Sequence, residues 1–128
     1  GSLKNTGDEW AFWKKNDSIA VTIAVGVRKK LGKVSLGYLN HFGLGIHKPQ
    51  KVEVWLSDND VHYWKATEQT FGRDEIFAEG RFTEEMEFIF KDVARYVRVI
   101  MKGAGMCPEH HVRPGLEAQI YLDEVLIE

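Results

Sequence analysis

The chain has 128 residues, of which 44% are hydrophobic, and its 17 basic and 19 acidic side chains give a net charge of −2. This balance is typical of one globular domain, and it lacks the basic excess that nucleic-acid phosphates or an anionic membrane would attract. A single cysteine, Cys107, excludes a disulfide within the chain, and no apolar run is long enough for membrane insertion. We therefore expect a monomer that neither binds nucleic acid nor inserts into a membrane.

The N-terminal segment, Ser2 to Asp17, is predicted to be a long loop. It mixes turn-forming residues with three large aromatic residues, Trp10, Phe12 and Trp13, and shows no helical period. These aromatic side chains either fill one end of the core or face a ligand.

The remainder of the chain alternates apolar and polar residues with the period of β-strands. The predicted strands cover residues 18–26, 33–40, 51–57, a short stretch ending at Trp64, 85–91, 95–101 and 118–127. In the last strand, Ile120 and Leu122 have one parity and Val125 and Ile127 the other, which predicts a bulge near residues 123–124 because one extra residue changes the buried face. Residues 68–83 are polar and contain glycines, and they predict a poor strand.

The hairpin at residues 51–64 places its tryptophans differently. Its first strand alternates so that Val52, Val54 and Leu56 face the core, while Trp55 lies on the opposite face. Trp55 then either covers the outside of the sheet or docks a neighbouring domain. Trp64, like Tyr96 further along, is expected in the core or at its rim.

Seven or eight short strands without a convincing helix or an internal repeat predict one all-β domain, an antiparallel β-sandwich. Its loops would gather at the two ends of the sandwich. Two long loops, residues 40–49 and 103–115, are rich in glycine, proline and histidine, so we expect them on the surface, where binding sites are commonly placed.

Several motifs follow one another in a recognisable order. They are Gly-Asp-Glu-Trp at residues 7–10, Gly-Ile-His-Lys-Pro at 45–49, VEVWLSDNDVHYW at 52–64, ARYVRV at 94–99, CPEHH at 107–111 and DEVLIE at the end. Together they resemble a discoidin domain, the coagulation factor 5/8 type C or galactose-binding-like jelly roll to which many carbohydrate-binding modules belong. CPEHH and the ending are similar, more narrowly, to the C-terminal sandwich of bacterial β-N-acetylhexosaminidases (chitobiase-like, glycoside hydrolase family 20).

This resemblance covers residues 1–128 and implies a non-catalytic module from the C-terminal end of a larger bacterial glycoside hydrolase. Its expected partners are a glycan, with a galactosyl or N-acetylhexosaminyl terminus, and the catalytic domain of the same parent chain. The parent protein would then be periplasmic, secreted or displayed on the cell surface.

Sugar recognition needs an apolar platform for the ring and hydrogen-bonding side chains for its hydroxyls, because hydroxyls desolvated without partners cost about 1–3 kcal/mol each. Side chains of both kinds lie in the predicted loops. The candidate ligand-binding residues are Trp10, Trp13, Asn40, His41, Phe42, His47, His111 and Arg113.

The sequence offers two candidate metal sites. The histidines at positions 41, 47, 110 and 111 could form a metal site, and Cys107, His110 and His111 have nearly the ligand types of zinc. Structural zinc sites normally pair two ligands at each end of the motif, however, and only one thiolate is present. The resemblance implies instead a structural Ca²⁺ between the N-terminal loop and the last strand, held by the side chains of Asn5, Asp8 and Glu124.

Catalysis has little support, because a glycosidase needs two facing carboxylates and the acidic residues are scattered over turns and strand faces. The leading hypothesis is therefore a carbohydrate-binding module that keeps an attached hydrolase near its substrate. The alternative is a structural sandwich that docks on the catalytic domain and stabilises it. An apolar outer face around Trp55 would favour the alternative.

Overall fold

The computed structural model of the chain describes residues 3–5, 11–15, 18–112 and 114–128, and only the backbone of the first two segments. The strands are β1 Leu3–Asn5, β2 Ala11–Lys15, β3 Ser18–His41, β4 Lys51–Ser57, β5 Tyr63–Thr70, β6 Arg81–Lys102 and β7 Leu122–Ile127. Helical structure in these ranges consists of a 3-10 turn, Phe42–Leu44, and helix α1, Arg73–Ile76. No helix among them is long and apolar enough to cross a membrane.

Two long strands run through both layers of the fold. Residues 18–24 of β3 pair with residues 96–102 of β6, and this half also pairs with β2, while β4 and β5 follow on the other side of β6. After register shifts at residues 24–33, the second half of β3 pairs with residues 81–89 of β6 and with β7, which pairs with β1. All of these pairings are antiparallel, so the long strands connect two sheets.

The core lies between these sheets. The buried hydrophobic cluster contains residues from both sheets. It includes Val21, Ile23, Val34, Leu36, Val52, Val54, Leu56, Phe88, Val97, Val99, Val125 and Ile127. These residues are spaced by two along each strand, because alternate side chains of a strand point to the same face. The predicted all-β antiparallel sandwich is confirmed, as is the buried face of β4.

The strand boundaries differ from the prediction in several places. The strands predicted at 18–26 and 33–40 form one strand, β3, which is irregular near Gly26, where φ is +92°. Those predicted at 85–91 and 95–101 also form one strand, β6, and the last strand begins at Leu122 instead of residue 118. The predicted N-terminal loop contains β1 and β2, and β5 extends through polar residues to Thr70. The sequence hides β5 because this strand lies at the edge of its sheet and most of its side chains are exposed.

Trp64 lies at the rim of the core, which is one of the two positions expected for it. It remains 36% exposed, and its Nε1 donates a hydrogen bond of 2.7 Å to Asp92 Oδ2 on the neighbouring long strand. Tyr96 is half-buried, with the guanidinium of Arg95 5.8 Å from its ring centroid. Both aromatic residues therefore lie at the margin of the sheets, where a polar group can reach them.

The bulge predicted near residues 123–124 is confirmed. Gly37 pairs with Glu124 and Tyr38 with Leu122, so Asp123 is the extra residue on β7. The bulged strand comes so close that a Cβ on Gly37 would lie 2.3 Å from Asp123 Oδ1 and 3.3 Å from Glu124 Cβ. Any residue other than glycine at this position therefore requires the Asp123 side chain to turn away and Glu124 to shift by a few tenths of an ångström.

We expect Gly37→Ala to lower the free energy of unfolding by about 1–3 kcal/mol, because the new methyl group overpacks the bulge. Urea denaturation measures the change. Gly72→Ala is the matched control, since a Cβ at Gly72 has no neighbour within 4 Å and its φ is −75°. Equal stabilities for the two variants would contradict this account of the bulge.

Candidate functional site

Three connecting segments meet at one end of the sandwich: residues 42–50, 71–80 and 103–119. The first contacts the second through a hydrogen bond from Phe42 N to Gly80 O, 3.1 Å. It contacts the third through His47 N to Gln119 O, 2.9 Å, while Ala118 N donates to Gly105 O and closes the third segment on itself. The segments therefore form one assembly, and the predicted loops at 40–49 and 103–115 do lie side by side.

A chain of buried polar side chains lies inside this assembly. Asn40, His47 and His111 are 1%, 0% and 3% exposed. His47 Nδ1 is 2.9 Å from Asn40 Oδ1, and His47 Nε2 is 2.9 Å from His111 Nε2. Asn40 Nδ2 donates two further hydrogen bonds of 3.0 Å, to the carbonyl oxygens of Ala78 and Gly80.

These contacts fix the protons on both rings. Since Asn40 Nδ2 faces two carbonyl acceptors, its Oδ1 must be the atom that faces His47, and His47 Nδ1 must carry a proton. In neutral His47 the Nε2 atom is then an acceptor, so His111 Nε2 carries the proton between the two rings. Both histidines can thus be neutral and satisfied at once.

The pKa of His47 is lowered to about 4, first because the charged ring loses its hydration on burial. The nearby His111 contributes to this lowering, and a backbone hydrogen bond at Ile76 opposes it. His47 is therefore neutral at physiological pH, as the hydrogen-bond pattern requires.

Aromatic rings enclose the histidine pair. The ring centroid of Phe42 is 4.0 Å from that of His111, and the ring of Phe77 meets His47 edge-on at 5.1 Å. This packing excludes water from the pair and accounts for the desolvation of His47.

A second link fastens helix α1 to the strands. Lys48 is only 7% exposed; its ammonium pairs with Glu75 on α1 and lies 4.1 Å from the ring centroid of Phe71. The same ammonium lies 5.3 Å from the ring centroid of Tyr38, whose hydroxyl donates to Glu84 Oε2 at 3.1 Å. Burial, first, and this hydrogen bond to Glu84 raise the pKa of Tyr38.

A cleft of about 280 Å³ opens beside the buried histidines, between residues 73–79 and 108–110. Phe77, which is 5% exposed, lies at the bottom, with the guanidinium carbon of Arg73 4.9 Å from its ring centroid. The lining residues are Arg73, Asp74, Phe77, Ala78, Glu79, Pro108 and His110. Within the described part of the chain, the side chains of four of them, Arg73, Asp74, Glu79 and His110, have no hydrogen bond or ion pair.

A second cleft, of about 240 Å³, lies elsewhere on the same assembly and has a more aliphatic lining. Leu44 and Leu116 form part of its walls and are 53% and 50% exposed, and Glu117 and Gln119 supply its polar groups. It contains no aromatic platform.

The predicted ligand-binding residues are distributed in three ways. Asn40, His47 and His111 come together, but they are buried and hydrogen-bonded to one another, so they form the support of the cleft and do not line it. His41 and Phe42 lie beside them, half-buried, and His41 Nδ1 has no partner among the described residues. Trp10 and Arg113 lie outside the described residues, and of Trp13 only the backbone, in β2, is described.

The loop predicted at residues 40–49 is less exposed than expected. Asn40 and His41 form the end of β3, and His47, Lys48 and Pro49 are buried. The segment is buried because residues 71–80 and 103–119 close over it. The local sequence pattern does not predict this tertiary contact.

The cleft residues on α1 and after it were missed. Arg73, Asp74, Phe77 and Glu79 lie in the stretch predicted as a poor strand, and His110 is not among the predicted ligand-binding residues. One signal was available: Gly72 and Gly80 enclose a short segment that places charged side chains on both sides of a Phe.

The zinc alternative depends on three side chains that do not converge. Cys107 and His111 are buried whereas His110 is exposed. Among the described side chains, no three His, Cys, Asp or Glu residues lie close enough to hold a metal ion.

The calcium hypothesis remains a prediction. Asn5 pairs with Val125, which follows Glu124, so the backbone of β1 lies next to the bulged strand. Asp8 lies outside the described residues, and the side chain of Asn5 is not described. Oxygen ligands of this kind suit Ca²⁺.

If Asn5, Asp8 and Glu124 hold Ca²⁺, millimolar CaCl₂ should raise the melting temperature, since a ligand that binds only the folded state stabilises it. Adding EDTA should reverse the increase, and Glu124→Gln should abolish it. Differential scanning calorimetry measures the shift, with MgCl₂ as the control. An unchanged melting temperature in CaCl₂ would rule the site out.

Trp55 lies on the outer face of its sheet, as predicted, but that face is charged. Lys65 and Arg98 are its cross-strand neighbours, and Lys65 Nζ lies 5.5 Å from the Trp55 ring centroid. Lys65 also forms ion pairs of 3.1 Å with Glu53 and Glu68. Among the side chains that the structure describes, the apolar outer face required by the docking alternative is therefore not found around Trp55.

No protein-family model and no curated protein matches the chain. Among solved structures, the chain is similar to CBM32-5 of a family 89 glycoside hydrolase from Clostridium perfringens, which was solved in complex with GalNAc-β-1,3-galactose. The two chains share 14% sequence identity and superpose with a TM-score of 0.52, and the match covers 86% of this chain and 64% of that one. It is also similar to CBM32-3 of a family 31 glycoside hydrolase from Clostridium perfringens, with 11% identity, a TM-score of 0.53 and coverage of 91% and 70%.

A third similar structure is the C-terminal domain of a chitobiase from Bacteroides fragilis, with 11% identity, a TM-score of 0.44 and coverage of 89% and 68%. This chain thus spans slightly less than two thirds of the first CBM32 structure. At these identities the likeness establishes fold and leaves the ligand open. The chain has the discoidin-like β-sandwich fold that is found in CBM32 modules.

Proposed function

We propose that the chain is a non-catalytic carbohydrate-binding module and that it holds a glycan in the cleft between residues 73–79 and 108–110. The observation that carries this proposal is a set of four hydrogen-bonding side chains that surround one aromatic ring, Phe77, and have no hydrogen-bond partner among the described residues. Such a set can exchange hydrogen bonds with water for hydrogen bonds with a ligand without breaking contacts inside the protein.

The chemistry of the cleft suits a sugar. Carboxylates such as Asp74 and Glu79 accept from hydroxyls, the guanidinium of Arg73 donates to ring and hydroxyl oxygens, and His110 can do either. Hydrogen bonds to charged groups contribute about 1.5–3 kcal/mol each, but an open cleft leaves much of the sugar hydrated. Binding at a single site is therefore weak, and its benefit is a raised local concentration of substrate around an attached enzyme.

We further propose a galactosyl or N-acetylhexosaminyl terminus as the ligand and a β-N-acetylhexosaminidase as the parent enzyme. Support comes from the CPEHH and DEVLIE motifs, and from the disaccharide GalNAc-β-1,3-galactose held by one CBM32 structure of this fold. A glycan ligand also implies a parent protein that is periplasmic, secreted or on the cell surface, in which this module contacts the catalytic domain and forms no oligomer.

We expect Arg73→Ala to weaken glycan affinity about tenfold or more, because a hydrogen bond from a charged group is lost. A glycan array first identifies the ligand, and isothermal titration calorimetry then compares the variants. Arg81→Ala is the matched control, since Arg81 is exposed at the start of β6 and does not line the cleft. Equal losses in both variants would contradict the assignment of the cleft, and release of free sugar from a bound glycan would contradict the non-catalytic role.

A further inference from the structure

We infer that Asn40, His47 and His111 form a brace that fixes the separation between the two walls of the cleft. They would then be positioning residues for the ligand and would not contact it. The inference rests on the proposed function only for the identity of the ligand; the brace itself follows from the hydrogen bonds.

The first wall is held from behind by Asn40. Its Nδ2 donates 3.0 Å hydrogen bonds to the carbonyl oxygens of Ala78 and Gly80, and Ala78 itself lines the cleft. Asn40 lies at the end of β3, which runs through both sheets. Asn40 thus ties this wall to the long strand β3, in addition to the hydrogen bond from Phe42 N to Gly80 O and the ion pair of Lys48 with Glu75 on α1.

The second wall is held by His111. Its backbone N donates to Pro108 O at 3.0 Å, which closes the turn that carries Pro108 and His110 into the cleft. Its side chain leaves this turn toward the interior and meets His47 at 2.9 Å. The position of the turn thus depends on what His111 binds.

His47 joins the two halves of the brace. Its Nδ1 faces Asn40 and its Nε2 faces His111, and its backbone N is fixed by Gln119 O at 2.9 Å. The described hydrogen bonds include none that connects residues 73–79 directly to residues 108–110. Among the described residues, the chain of side-chain hydrogen bonds between the two walls passes through this fully buried ring.

If the brace exists, loss of its hydrogen bond should affect the opposite wall of the cleft, which packing of the rings alone would not predict. Removing the proton donor on His111 leaves His47 Nε2 without a partner and loosens the hold of His47 on Asn40, so the opposite wall should open more often. His111→Phe is suited to this test, because a phenyl ring retains the packing on Phe42, at 4.0 Å, and on Phe77, at 6.3 Å. Phe cannot donate the hydrogen bond.

Amide hydrogen exchange followed by NMR tests the brace without any ligand. In His111→Phe we expect the hydrogen-bonded amides of Ile76 and Phe77 to exchange about five- to tenfold faster, while those of β4 and the second half of β6 keep their rates. His110→Ala is the matched control, since this neighbour is exposed and its side chain has no hydrogen bond among the described residues; it should leave Ile76 and Phe77 unchanged. His111→Gln, whose amide can donate to His47, should restore most of the protection.

Faster exchange confined to residues 107–112, or an equal increase throughout the sheets, would overturn the brace. Should His111→Phe not fold, His111→Met serves as the second variant without a donor. A separate titration with GalNAc-β-1,3-galactose tests the ligand. If the unsubstituted chain binds the disaccharide, His111→Phe should weaken binding several-fold although no lining residue has changed. If the unsubstituted chain binds no sugar, the proposed function fails, and the exchange rates still decide whether the brace exists.

Discussion

Replacing Asn40 with leucine should lower the free energy of unfolding by about 3–6 kcal/mol, although the two side chains have similar volumes. Leucine would leave three buried polar groups without partners, the carbonyl oxygens of Ala78 and Gly80 and the Nδ1 proton of His47. Each stranded buried group costs about 1–3 kcal/mol. Urea denaturation monitored by tryptophan fluorescence measures the loss.

Gln69→Leu is the control for this substitution. Gln69 also carries an amide, but it is exposed on the edge strand β5, so its replacement should change stability by less than about 0.5 kcal/mol. A loss below about 1 kcal/mol for Asn40→Leu would show that the brace contributes no more than an ordinary surface contact.

The second large effect is a loss of stability in acid. His47 has a pKa of about 4 in the folded chain against an ordinary value of 6.5, so between these values the unfolded chain takes up a proton that the folded chain does not. The contribution of neutral His47 to the free energy of unfolding is complete above pH 6.5 and declines as the pH falls to 4. A pKa difference of this size corresponds to a decrease in that free energy of about 3 kcal/mol.

Carboxylates also titrate in acid, so the contribution of His47 is measured as a difference between two chains. Denaturation curves at pH 7 and pH 4.5 should show a smaller loss of stability in acid for His47→Gln than for the unsubstituted chain, because the variant has no ring to protonate. His62→Gln, at an exposed histidine in the turn between β4 and β5, should lose as much stability as the unsubstituted chain. An identical acid loss in all three would contradict the neutral, buried state of His47.

The sequence was most informative where a strand has one buried face. Val52, Val54 and Leu56 alternate with polar residues because one side of β4 faces the core, and the slipped parity in β7 revealed the bulge at Asp123. The edge strand β5 carries no such contrast, because most of its side chains are solvated, and it was missed for that reason.

The candidate site was predicted in part. The histidines and Asn40 were correctly placed at one end of the sandwich, since their loops are rich in glycine and proline. Their burial could not be predicted, because it depends on how three segments distant in sequence close over one another. Polar residues in a loop are usually solvated, and here tertiary contacts overrode that tendency.

The same reasoning explains Lys48. A lysine beside proline in a loop suggests a solvated side chain, yet Lys48 is 7% exposed and pairs with Glu75 between the rings of Tyr38 and Phe71. Neither partner lies within the loop of Lys48, so no local pattern could reveal the pair. The functional consequence is that helix α1, which carries Arg73 and Asp74 into the cleft, is fixed to the sandwich at Glu75.

The central claim, that this module binds a glycan in the cleft beside the buried histidines, is tested most directly by an NMR titration. Amide shifts of the ¹⁵N-labelled chain are followed as GalNAc-β-1,3-galactose is added. We predict shifts concentrated in residues 73–79 and 109–111, with the charged face around Trp55 unaffected. Shifts clustered elsewhere on the sandwich, or no shifts at millimolar disaccharide and with every glycan of an array, would contradict the claim.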